Sequence, residues 1–195
     1  MKKKMIFWAG YFVIVAFMLL LAFLWNDSWN DKLFDGARGY FLEQRAMYLR
    51  VVISCVIWEE AVWRLIPILT TSVLMICITN RWIKYLLGII CVSIILYIQV
   101  LFGEAHYSEP ELNPVFGTSC ASIANNVVIQ GGSGVIFAFT YISVLFYMFK
   151  FFFKEKKTGI IDNLKRVLIA NALGYASSMI IHAASNTLVV ITQTY

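Results

Sequence analysis

The chain has 195 residues, of which 61% are hydrophobic, 16% aromatic and only 14% charged. A soluble domain of this length could not cover so much apolar surface with so few polar side chains, so a water-soluble fold is excluded. The formal net charge of +5 is not a nucleic-acid footprint, because the basic residues form short clusters beside apolar runs, where they set membrane orientation.

In chain order, Lys2, Lys3 and Lys4 precede an apolar run over about 5–25, too long for a signal-peptide core and followed by no small-x-small cleavage site. It reads as a first transmembrane span. Residues 26–45 interleave Trp29, Leu33, Phe34, Tyr40, Phe41 and Leu42 with polar residues, which suits an amphipathic helix at the membrane surface. Further apolar segments run over about 46–79, 82–102, 121–149 and 167–193. A span takes roughly 20 residues, so the second and fourth exceed the requirement. Pro67 predicts a kink in the second, and Gly131-Gly132-Ser133-Gly134 a break or close-packing point in the fourth. The expected fold class is all-α: a polytopic transmembrane helical bundle of about five spans, in one domain over 1–195. Cys55, Cys77, Cys91 and Cys120 show no C-x-x-C pairing and read as unpaired structural thiols.

With five spans, Lys2–Lys4, Arg81 and Lys84, and the stretch from Lys150 to Arg166 all fall on one side. The segment 103–120 carries Glu104, Glu109 and Glu111 without a single Lys or Arg, and falls on the other. The positive-inside rule then predicts a cytoplasmic N-terminus and an extracytoplasmic C-terminus.

Within the second apolar run stand two adjacent carboxylates, Glu59 and Glu60, with Arg64 one turn further on. A carboxylate at bilayer depth costs roughly 2.5–3.5 kcal/mol on insertion scales, and such residues usually mark chemistry. On a helix Glu60 and Arg64 are i,i+4 neighbours, whereas Glu59 points about 100° away. The expectation is that Glu60 pairs with Arg64 and Glu59 faces a cavity. His106 and His182 are the two histidines of the chain; Phe102 lies one turn before the first and Asn186 one turn after the second. All four groups map to one outer-leaflet level. A carboxylate base, imidazoles and a carboxamide suit hydrolysis by activated water, in which donors to the developing oxyanion are often the largest single term. No activated Ser or Cys nucleophile is evident.

These residues, Glu59-Glu60-x-x-x-Arg64, Phe102-x-x-x-His106 and His182-x-x-x-Asn186, resemble the three-motif signature of the CPBP family (CAAX proteases and bacteriocin-processing, Abi-type proteins). The stretches Leu101-Phe102-Gly103-Glu104-Ala105-His106 and His182-Ala183-Ala184-Ser185-Asn186 resemble its LFGxxH and HAxxN helices, and the motif region covers about 50–190. The resemblance implies an intramembrane glutamate-type endopeptidase without a cofactor. Glu59 and His106 would activate water, His182 and Asn186 would bind the oxyanion, and Glu60, Arg64 and Phe102 would support them. The implied partners are the lipid bilayer and a small hydrophobic or membrane-tethered peptide, such as a bacteriocin or signalling propeptide.

Three alternatives stay open. Glu59, His106 and His182 could instead ligate zinc, since three ligands plus water make a catalytic site. The chain could be a non-catalytic bacteriocin-immunity or regulatory protein of the same fold. A small transporter with a Glu/His proton relay is disfavoured, because no internal repeat is present. Two features depart from the family pattern: a long connection over 107–120, expected as a lid or partner-contacting loop, and the extended basic stretch from Lys150 to Arg166.

Overall fold

The computed structural model describes residues 2–27, 54–105, 123–153 and 159–192, and these are helical almost throughout, with no strand among them. Five helices result: α1 (Lys2–Asp27), α2 (Ser54–Cys77), α3 (Arg81–Ala105), α4 (Ile123–Tyr147) and α5 (Ile160–Thr192). Each is long and apolar enough to cross a membrane, which makes this an all-α membrane protein. The surface helix expected over 26–45 and the lid expected over 107–120 lie outside the described residues, apart from Asn26 and Asp27, which close α1.

Successive helices alternate in direction. The three-residue connection at 78–80 turns α2 back into α3, and the Asn80 side chain caps the new helix by accepting from the Trp82 and Ile83 amides at 2.9 and 3.2 Å. Helix α4 is central and packs against α1, α3 and α5, while α2 leans on α3 and α5. Three apolar layers fill the bundle. Phe7, Tyr11, Val144, Met148 and Ala170 form one; Ile68, Ile95, Ala138 and Tyr141 form the second; Ala22, Phe137 and Ile181 form the third. Hydrogen bonds cross the layers where a polar group would otherwise be stranded away from water. Tyr141 donates to Asn171 at 2.8 Å, the Tyr11 and Ser177 hydroxyls meet at 2.8 Å, and the Trp25 indole donates to the Ile129 carbonyl at 3.0 Å.

Two features take a form that the sequence left unspecified. First, α2 carries a π-helical turn over Ala61–Leu65, closed by the Ile66 amide on the Ala61 carbonyl, directly before Pro67. Pro67 has no N–H for the carbonyl of Trp63 and its ring crowds that group. The wider turn relieves the crowding, and the Gln99 amide donates to the Trp63 carbonyl from α3 at 3.3 Å. Second, the stretch from Lys150 to Arg166 is not one connecting loop. Lys150 sits in a π turn (Met148–Phe152) that prolongs α4, and Lys165 and Arg166 lie in the second turn of α5. Long basic side chains tolerate helix ends at the interface because their stems lie on apolar surface while the charge reaches water.

The glycine-rich segment of α4 does not break the helix; it lets α3 approach. A Cβ on Gly103 would stand 2.8 Å from the Val127 Cα and 2.9 Å from the Gly131 backbone nitrogen, and one on Gly131 would stand 3.0 Å from the Gln99 carbonyl oxygen. Backbone-to-backbone packing of this kind is how membrane helices associate where lipid supplies no hydrophobic drive. Gly103→Ala is therefore expected to lower stability by about 1–3 kcal/mol, the usual cost of overpacking. Gly88→Ala, whose Cβ meets only the terminal methyl of Met75 at 3.3 Å, should be neutral or stabilising. Thermal unfolding of the two variants in the same detergent separates these outcomes.

Candidate functional site

One end of the bundle gathers the start of α2, the end of α3, the first half of α4 and the last turns of α5. At its centre is the Glu60 carboxylate, wholly excluded from solvent. The Arg64 Nη1 donates to its Oε1 at 2.8 Å from one turn along α2. From α5, Ser178 donates to Oε2, and the Nδ1 of His182 lies 2.8 Å from Oε1. Such satisfaction is what makes a buried carboxylate tolerable, since an unpaired one would cost several kcal/mol. A carboxylate that already accepts from Arg64 takes the His182 contact as acceptor too, so Nδ1 carries the proton.

That hydrogen bond fixes the ring and presents its other nitrogen, Nε2, to Glu59, whose Oε2 stands 3.6 Å away. This is ion-pair range but too long for a direct hydrogen bond. Glu59 differs from its neighbour in access: its side chain is 24% exposed, against zero for Glu60 and Arg64. The 100° step along the helix separates a buried anchor from a partly exposed carboxylate.

Aromatic rings enclose the cluster. The imidazole of His182 stacks on Phe137 with centroids 4.2 Å apart, and Phe102 meets it edge-on at 6.4 Å. The Arg64 guanidinium lies 4.3 Å from the Phe102 centroid and 5.3 Å from that of Phe137. Gly134 leaves the room for this: a Cβ there would stand 2.9 Å from the Arg64 Nη2, the Gln99 Oε1 and the Phe102 ring. Among the described residues those same two polar atoms, with Arg64 Nε, are buried without a hydrogen-bond partner.

The structure thus brings together Glu59, Glu60, Arg64, Phe102 and His182. Asn186 is half-buried one turn beyond His182 on α5, and its neighbour Ser185 is fully buried. His106 follows the last residue of α3 and lies outside the described residues, as does Cys120. Among the described residues no three of His, Cys, Asp and Glu group to hold a metal ion; of the zinc set, Glu59 and His182 face each other. Cys55, Cys77 and Cys91 are free thiols.

Ser178, Phe137, Gln99 and Gly134 belong to the site, yet the motifs did not single them out as site residues. Ser178 stood one helical turn before His182 and Gln99 was an amide in an apolar run, so for both a signal was present. No protein-family model, curated protein or solved structure matches this chain.

Removing one member of the buried pair should be costly. Arg64→Ala is expected to destabilise the fold by about 3–5 kcal/mol, since it strips the buried Glu60 of its guanidinium partner. The charge-neutral double change Glu60→Gln with Arg64→Met should recover part of that loss. Reversible unfolding in mixed micelles measures both.

Proposed function

We propose that this chain is an intramembrane endopeptidase of the CPBP type that its three motifs resemble. The observation that carries the reading is His182 set between two carboxylates inside an apolar bundle, with Nδ1 anchored on Glu60 and Nε2 turned to the partly exposed Glu59. In the proposed reaction Glu59, with His106, takes a proton from water as the water oxygen attacks the scissile carbonyl carbon. His182 and Asn186 bind the oxyanion, and the proton held on the base passes to the leaving amine when the C–N bond breaks. Protonated at both nitrogens, His182 donates from Nδ1 to Glu60 and from Nε2 to the oxyanion. Glu60, Arg64, Ser178 and Phe102 hold the geometry.

The substrate in this reading is a small hydrophobic or membrane-tethered peptide, such as a bacteriocin or signalling propeptide, met within the cell membrane. The N-terminus is cytoplasmic, and the C-terminus and the site face outwards. In support, Arg81, Lys84, Lys150, Lys165 and Arg166 all sit on helix ends away from the Glu59–His182 cluster.

Purified protein in nanodiscs, given a quenched library of hydrophobic peptides, tests the proposal. Glu59→Gln should reduce turnover by roughly 10²–10⁴, the usual contribution of a general base, with unfolding temperature unchanged. His182→Ala should lose roughly 10²–10³ or more, the scale of an oxyanion donor. Full turnover by Glu59→Gln would sink the glutamate mechanism. Loss of turnover on chelation, restored by zinc, would favour the metal reading at Glu59, His106 and His182. The same buried ion pair also fits a non-catalytic immunity or regulatory protein, and that reading gains if Glu59→Gln cells keep full protection against a bacteriocin.

A further inference from the structure

The opposite half of the bundle holds a groove of about 510 Å³ between α2, α3, α4 and α5. This volume is within the roughly 300–1,000 Å³ of ordinary ligand sites. Its walls are apolar, with Met75 from α2, Gly88 and Val92 from α3, Leu145 from α4 and Val167 from α5. Ile68 and Ile95 close the inner end. They belong to the layer with Ala138 and Tyr141 that lies between the groove and the Glu60–Arg64 cluster, so the groove is a separate place in the molecule.

Among the described residues the groove has one charged residue in its lining, Lys84, and no carboxylate. Thr71 and Ser72 also line it, but their hydroxyls donate to the Pro67 and Ile68 carbonyls of their own helix at 2.8 and 2.7 Å. Among the described residues Lys84 has no ion-pair partner, whereas its neighbour Arg81 sits over the Tyr85 ring at 5.4 Å. Trp82 and Tyr85, flanking Lys84, are 79% and 55% exposed. Exposed Trp and Tyr at a span's end mark the headgroup level. Lys84 therefore stands where lipid phosphates lie, at the mouth of an apolar slot that runs inwards from that level.

We propose that this groove binds an anionic phospholipid, with the phosphate on the Lys84 ammonium and an acyl chain along the apolar walls. A basic residue at an interhelical pocket attracts such headgroups electrostatically, and the slot supplies the complementary apolar surface. The occupant is distinguished from a zwitterionic lipid by charge and from a free anion by its chain.

The test uses the full chain in nanodiscs of equal parts phosphatidylglycerol and phosphatidylcholine, released into the gas phase with retained lipid counted by native mass spectrometry. Wild type should keep phosphatidylglycerol in preference to phosphatidylcholine. Lys84→Ala should cut that preference roughly five-fold, the worth of one lysine near an anionic surface, while Lys84→Arg keeps it. Gly88→Leu, which places a side chain in the slot, should lower retention of both lipids, and inorganic phosphate should not compete. Equal retention of the two lipids by wild type overturns the proposal. So does a Lys84→Ala protein that keeps the full preference, or a folded Gly88→Leu protein that retains as much lipid as wild type. Peptide hydrolysis is not read in this experiment, so its outcome is independent of the proposed activity.

Discussion

The Glu60 carboxylate sets the terms for one half of this bundle. Placed among apolar helices, it requires donors, and it takes them from two helices at once: Arg64 on its own helix, Ser178 and His182 from α5. Each partner constrains rotation. Arg64 reaches it only if α2 is helical over 60–64, and Ser178 and His182 reach it only if α5 turns that one stripe inwards. The Tyr175 hydroxyl, donating to the Ile57 carbonyl at 3.0 Å, ties the same two helices a second time. The rotational setting of α2 against α5 thus follows from satisfying a single charge, since apolar packing alone tolerates many rotations of such uniformly hydrophobic helices.

The aromatic casing decides which cation can serve. Arg64 is wholly buried, with its guanidinium beside Phe102 and Phe137. A planar, weakly hydrated cation can stack on a ring and still donate in plane to Glu60, which a lysine ammonium cannot do as well. Space for the stack comes from Gly134 on α4, and the α3 ring is brought close by the glycine contact at Gly103 and Gly131. Backbone approach in one pair of helices therefore positions the charge in a third.

Local relations were legible in the sequence, and non-local ones were not. The Glu60–Arg64 pair was readable because i,i+4 geometry is fixed once the segment is helical, and the number of spans was readable from apolar length. Ser178 lies 118 residues from Glu60, and Gln99 is 36 from Trp63; nothing in either sequence neighbourhood names the partner. Pro67 announced a disturbance in α2 but not its form, because the widened turn depends on the carbonyl acceptor offered to Gln99. Lys165 and Arg166 lie inside α5, because a helix can run past the hydrocarbon edge while its basic side chains reach water. The reach of His106 and the form of 26–45 fall beyond the described residues.

The two halves of the bundle differ in what they admit. Between them the Ile68, Ile95, Ala138 and Tyr141 layer is closed, and the one polar group within it, the Tyr141 hydroxyl, is bound to Asn171. The ionic cluster reaches the surface of the bundle on the Glu59 side, because Glu60 and Arg64 have no exposed side-chain surface and His182 has 4%, while Glu59 has 24%. Among the described residues the charge network is buried at Glu60 and Arg64 and partly exposed at Glu59, so two adjacent identical residues stand in different surroundings. Glu60 is committed to three partners, Arg64, Ser178 and His182. Glu59, one residue earlier, carries its charge to the edge of the same field with the imidazole behind it.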